Sequence, residues 1–106
     1  MKKVAILCQT APGGKRRLAE EALRLATGLT ATGRLQVDLI LTDGGTALLH
    51  PEMGGPLGTW ESLRSPHTRI LVLSDTPLPP SAPPVTTVIN FNPEKASAGA
   101  DMILRF

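Results

Sequence analysis

A chain of 106 residues with 42% hydrophobic content is long enough for one domain with a real core, burying roughly 60 to 70% of the surface its unfolded form exposes. The 3% aromatic content, one Trp, two Phe and no Tyr, leaves that core to aliphatic side chains and provides poorly for stacking on bases, so direct nucleic-acid binding is not expected. A net charge of +2 and a single cysteine, Cys8, exclude an internal disulfide framework and a cysteine-rich metal site, and imply a reducing, cytoplasmic setting.

The charge is uneven along the chain. Residues 1–34 carry seven Lys or Arg against two Glu, whereas residues 35–106 carry four basic and seven acidic groups. Copies of such a chain, or homologous chains, can meet through opposite faces. Met1-Lys2-Lys3 precedes an apolar run too short for a signal peptide or a membrane span, so a soluble chain is expected.

Lys3 to Cys8, with Val4-Ala5-Ile6-Leu7 at its centre, reads as a strand covered on both faces. The turn Gln9-Thr10-Ala11-Pro12-Gly13-Gly14 follows, and Lys15 to about Thr32 reads as a helix. Its apolar residues Leu18, Ala22, Leu25, Ala26 and Leu29 recur at helical spacing, and Gly33 supplies a stop. Gln36 to Thr42 is a second apolar strand ending in Asp43-Gly44-Gly45. From Thr46 to Ser65 the pattern weakens. Ala47, Leu48 and Leu49 suggest a short helix, Pro51 and Gly54-Gly55-Pro56 break it, and Thr59 to Leu63 allows another turn.

Arg69 to Ser74 is the third strand, running into residues 75–84, which hold half of the ten prolines. Proline fixes φ and removes a backbone donor, so an extended connection rather than a crossover helix is expected there. Val85 to Phe91 is a fourth strand, Pro93 to Ala98 at most a stubby helix, and Asp101 to Phe106 a fifth strand. This alternation predicts a single α/β domain over residues 1–106, a three-layer sandwich around a five-stranded, mainly parallel sheet with flavodoxin-like strand order.

In parallel sheets, ligands collect at the carboxyl ends of strands, which nominates Thr10, Gly13, Gly14, Lys15, Asp43, Ser74 and Asp75 as a small-anion or ligand cleft. Cys8 at the same mouth is a candidate nucleophile or persulfide acceptor, since a helix start and nearby Lys15 or Arg16 favour thiolate. The alternative is a small buried hydrophobe. Two phosphate motifs fail on spacing. A phosphatase loop needs arginine where Gly14 stands, and the Walker pattern needs an earlier glycine and a following hydroxyl that Gly13-Gly14-Lys15 lacks. His50 and His67 sit in unrelated turns, so neither a metal nor another cofactor is expected. Trp60 is either core filling or an interface anchor.

Several segments together resemble one family. Lys3-Val4-Ala5-Ile6 with Thr10-Ala11-Pro12-x-Gly14, Glu21-Ala22-Leu23-Arg24-Leu25-Ala26, Thr42-Asp43-Gly44 with Leu48-Leu49, and Asp101-Met102-Ile103-Leu104-Arg105-Phe106 are similar to the DsrE/DsrF-like sulfur-relay proteins, nearest the TusC/DsrF subgroup. The resemblance implies small α/β subunits that assemble with homologous chains and pass persulfide sulfur toward tRNA 2-thiolation or sulfur oxidation. It places the family's reactive cysteine, which belongs to the TusD/DsrE subunit, at Leu73-Ser74-Asp75, where this chain has none. The resemblance therefore implies a non-catalytic subunit of a homo- or hetero-oligomer, served by a separate sulfur-carrier protein, away from membranes.

Overall fold

The computed structural model describes residues 1–50, 59–73, 86–88, 95 and 97–106. Strand β1 (Lys2–Cys8) leads to helix α1 (Leu18–Ala31) and strand β2 (Leu35–Leu41). A 3-10 helix over Asp43–Leu49 and another over Thr59–Leu63 precede β3 (Thr68–Val72), the three-residue β4 (Thr86–Val88) and β5 (Met102–Arg105). The first three strands lie within two residues of their expected bounds. The expected proline connection and most of the expected Pro93 to Ala98 helix lie outside the described residues, as does the end of the expected fourth strand.

All described strand pairs are parallel, and the sheet order is β4-β3-β2-β1-β5. That corrects the flavodoxin-like expectation, whose order is 2-1-3-4-5. The chain steps in one direction from β1 to β4 and returns to the open flank of β1 with β5. Apolar runs identify strands, but their neighbours are chosen by pairings distant in sequence. Here Asp101 N–H donates to the Lys3 carbonyl at 2.9 Å and Phe106 N–H to the Leu7 carbonyl at 2.8 Å.

β1 is apolar throughout its centre because both of its faces are covered. Val4, Ile6 and Cys8 join Val37, Leu39 and Leu41 of β2 and Ile70 and Val72 of β3 on one face, packed by Ala19, Ala22, Leu23 and Ala26 of α1. On the other face Ala5, Leu7, Ile40 and Leu71 are buried, with Leu73 and Ala100 against them. A buried hydrogen bond of 3.0 Å between the Thr30 and Thr68 hydroxyls ties α1 to the start of β3. Among the described residues, no helix is long and apolar enough to cross a membrane.

α1 begins three residues later than its charge pattern suggests. Arg17 adopts a left-handed conformation, φ 50°, and its N–H closes a turn onto the Gly14 carbonyl, so the basic trio belongs to the turn rather than the helix. The helix ends where the Thr32 hydroxyl donates to the Leu29 carbonyl at 2.7 Å and Gly33 takes φ 67°. Within it, Gly28 is exposed, and nothing lies within 4 Å of an added Cβ. Gly28→Ala is therefore expected to stabilise the protein by about 1 kcal/mol through helix propensity, read as a rise in the urea midpoint. An unchanged or lowered midpoint would contradict this account of the helix.

Candidate functional site

The carboxyl ends of β1 and β2 lie side by side, with Cys8 registered against Leu41. Thr42 N–H donates to the Cys8 carbonyl at 3.0 Å, and Gln9 N–H donates to the Phe106 carbonyl at 2.9 Å. The turn after β1 and the turn after β2 are thereby brought together. What lies between them is packed rather than open. A Cβ built on Gly44 would stand 2.8 Å from the Ala11 nitrogen and 3.2 Å from the Gln9 carbonyl oxygen. One built on Gly45 would overlap the Cys8 carbonyl oxygen, standing 2.7 Å from its carbon and 3.2 Å from Sγ. The two glycines are where the second turn touches the first, and no larger residue fits.

Asp43 opens the second turn with φ 50°, a left-handed position that Asp tolerates better than most residues. Its carbonyl accepts the Thr46 hydroxyl at 2.8 Å, while Gly45 N–H donates to the Thr42 carbonyl at 2.8 Å. Asp43 is exposed, and its carboxylate accepts the Thr42 hydroxyl at 3.4 Å, a contact within its own turn.

Cys8 is 0% exposed. Its thiol donates to the Thr10 carbonyl at 3.6 Å. Burial pushes the Cys8 pKa up, the negative charge of Glu20 adds to the rise, and a backbone contact at Thr10 offsets part of it. This environment opposes a nucleophilic or persulfide-carrying Cys8, because the thiolate is the reactive form and here would be buried from water and close to the Glu20 carboxylate. The small buried hydrophobe is the alternative that this geometry favours. Native protein at neutral pH is expected to alkylate at Cys8 at least about tenfold more slowly than protein unfolded in urea, a comparison made by intact mass. Rapid native labelling would overturn the assignment. The sign of the pH effect follows from the raised folded pKa. The stability that Cys8 contributes is fully present below the unfolded thiol's pKa and is lost as pH rises through the folded value, so the penalty is confined to alkaline solution.

The anion expectation meets a specific obstacle. Gly13 N–H, the donor best placed to greet an anion at the first turn, donates instead to Glu20 Oε1 at 3.1 Å, and Arg17 Nε lies 3.7 Å from Glu20 Oε2. The chain's own carboxylate occupies the place of the ligand. Thr10 is half-buried, and Gly14 and Lys15 are exposed. Ser74 and Asp75 lie outside the described residues, two and three positions after β3. Glu20 was the residue missing from the sequence reading. Its signal was available, since it sits in the first turn of α1, where acidic side chains habitually turn back toward free N–H groups.

Trp60 is half-buried and packs against the α1-side core. His50 follows the first 3-10 helix, and exposed His67 precedes β3. Among the described residues, no group of three or more His, Cys, Asp or Glu side chains is placed to hold a metal ion.

A second polar feature is centred on the middle of β2 and reaches toward the amino-terminal ends of its neighbours. Asp38, fully buried in β2, receives two hydrogen bonds from Arg69 of β3, Nε to Oδ1 at 3.0 Å and Nη2 to Oδ2 at 2.7 Å. Lys3 Nζ of β1 approaches Oδ2 at 3.1 Å. Hydrogen bonding to Asp38 raises the Arg69 pKa further. The triad stitches three neighbouring strands together and lies at the amino-terminal half of the sheet, remote from the paired turns.

The strand order, with α1 against one face of the sheet, can be set beside known proteins. The solved structure of the YchN protein from E. coli superposes with a TM-score of 0.70, over 100% of this chain and 100% of that one, at 23% sequence identity. The fold is that of YchN. No protein-family model matches the chain, and no curated protein does. The likeness to YchN is one of fold, so the residues at the paired turns are interpreted from this chain's own geometry.

Proposed function

We propose that this chain is a DsrE/F-like subunit, a single cytoplasmic domain that works by assembling with itself or with homologous chains in a sulfur-relay system serving tRNA 2-thiolation or sulfur oxidation, and that it carries no sulfur itself. The observation that supports this reading most directly is the burial of Cys8, the chain's one thiol, at the junction of two turns that glycine packing closes. A chain with this fold and no accessible thiol contributes surface, and the reactive cysteine belongs to a partner. The likeness to YchN supports the fold-level half of the argument and leaves the role to experiment.

The test exposes the folded protein to a persulfide donor and follows intact mass, with Cys8→Ser in parallel, while native mass spectrometry records the assembly state alone and with homologous subunits. The expected result is no gain of a sulfur atom on the native chain and a discrete oligomer under at least one of the two assembly conditions. A Cys8-dependent gain of sulfur would overturn the non-catalytic role. A monomer under every condition would overturn assembly.

A further inference from the structure

The described residues expose three large hydrophobic side chains, and two of them are neighbours on β5. Met102 is 54% and Ile103 41% exposed. β5 closes one side of the sheet, so its outer backbone flank is an edge. Edges of native sheets are normally guarded by a central charge, a proline or a bulge. β5 has none of these at its centre, where Met102, Ile103 and Leu104 stand between the charges of Asp101 and Arg105. Beside the edge, on the α1 side, runs an apolar groove of about 330 Å³. Leu25 and Leu29 of α1 and Met102 and Leu104 of β5 line it, with Lys2 and Asp101 supplying its polar lining. The third exposed hydrophobe, Met1, immediately precedes Lys2.

The sequence Asp101-Met102-Ile103-Leu104-Arg105 is complementary to itself when reversed. About a two-fold axis through Ile103, an antiparallel second copy sets Ile103 opposite Ile103, Met102 opposite Leu104 and Asp101 opposite Arg105. Residues directly opposite one another in an antiparallel pair share a face, so one Asp101–Arg105 pair forms at each end, the Asp101 carboxylate also keeping the Lys3 N–H that its Oδ2 accepts at 2.8 Å, and the methionines and leucines of both copies fall on the groove side. A parallel arrangement sets like charge on like charge. A slip of one residue would set the second copy's Met102 and Leu104 on the face away from the first copy's groove.

From this complementarity the geometry points to one occupant: β5 pairs antiparallel with β5 of a second copy, continuing the sheet across a two-fold axis and joining the two α1-side grooves into one apolar seam. The backbone flank supplies hydrogen bonds, the seam supplies burial, and the paired charges set orientation and register. The inference names a surface for the assembly proposed above, and it stands or falls separately from the role of Cys8.

The test is sedimentation equilibrium on the full chain and its β5 variants, with circular dichroism confirming that each is folded. Wild type is expected to be dimeric, and Ile103→Lys or Met102→Glu to weaken the dimer at least about a hundredfold, which corresponds to about 2.7 kcal/mol. Asp101→Arg and Arg105→Asp are each expected to weaken it about tenfold, and the two together to restore it, since the swap re-creates both opposite-charge pairs. A monomeric wild type, an Ile103→Lys or Met102→Glu protein that keeps wild-type mass, or a double swap no better than either single change would overturn the pairing. A wild type that is monomeric alone yet assembles with homologous chains sinks the β5 pairing and leaves the assembly reading intact. A β5 dimer whose Cys8 takes up sulfur does the reverse.

Discussion

Gly45→Ala is expected to cost about 4 kcal/mol, a large share of the 5–15 kcal/mol that holds a domain of this size folded. The added methyl group would occupy the space of the Cys8 carbonyl, and the atoms it meets are backbone of a central strand. A flexible side chain could swing aside, but β1 is held by β2 on one flank and β5 on the other, and cannot yield without breaking registered hydrogen bonds. The cost therefore reflects moving one turn off another, which is the expensive form of overpacking. Urea unfolding of Gly45→Ala beside Gly14→Ala makes the comparison clean. Gly14 lies in the facing turn at negative φ, with nothing within 4 Å of an added Cβ, and its replacement is expected to change stability by less than about 0.5 kcal/mol. Equal midpoints for the two variants would show that the turns are not packed as described. Because the contact includes Sγ, a folded fraction of Gly45→Ala is also expected to alkylate faster at Cys8.

Removing the guanidinium of Arg69 is expected to be the next most damaging change. Arg69→Met takes away both hydrogen bonds to a carboxylate that has no access to water, leaving Asp38 with Lys3 alone. Hydrogen bonds to charged groups contribute roughly 1.5–3 kcal/mol each in buried settings, but the Arg69 side chain is 51% exposed and part of its attraction is screened, so a net loss of about 2–3 kcal/mol is expected. The decisive measurement is the double variant. With Asp38→Leu in the same chain the stranded charge disappears, the site becomes apolar, and most of the loss should return, as happens when buried ion pairs are replaced outright. If Asp38→Leu deepens the loss instead, the triad contributes more than it costs to desolvate.

These two sites also mark where the sequence could and could not be read. The strands were legible because both faces of a parallel sheet are covered, which turns β1, β2 and β3 into apolar runs that need no partner to recognise. The triad was legible in principle: Lys3, Asp38 and Arg69 are charged residues set among three apolar strands, and a charge in such a place asks for a partner in the next strand. Which strand is next was not legible. The β5–β1 pairing spans nearly the whole described chain, and nothing in Met102 to Arg105 names β1 as its neighbour. The paired turns were partly legible. Gly13-Gly14 and Gly44-Gly45 look alike as text, yet the first pair faces open space and the second touches backbone, a difference that exists only once the turns are side by side. Cys8 shows the same limit. At a strand's end it reads equally well as a reactive thiol or as packing, and the choice was made by Gly45 and Glu20, residues 37 and 12 positions away.

The placement of β5 has a consequence for the living ribosome. β1 is the first strand made and is buried from Val4 to Cys8, but one of its two neighbours is separated from it by 98 residues, the span between Lys3 and Asp101. At roughly 5–20 residues per second, β1 waits seconds with a bare flank while α1, β2 and β3 can already close around its other side. A nascent chain in that interval presents an unpaired central strand, the kind of edge that recruits other chains in the cell. Pausing synthesis before Asp101 should therefore leave a species that binds holdase chaperones, and resuming it should release them as β5 arrives.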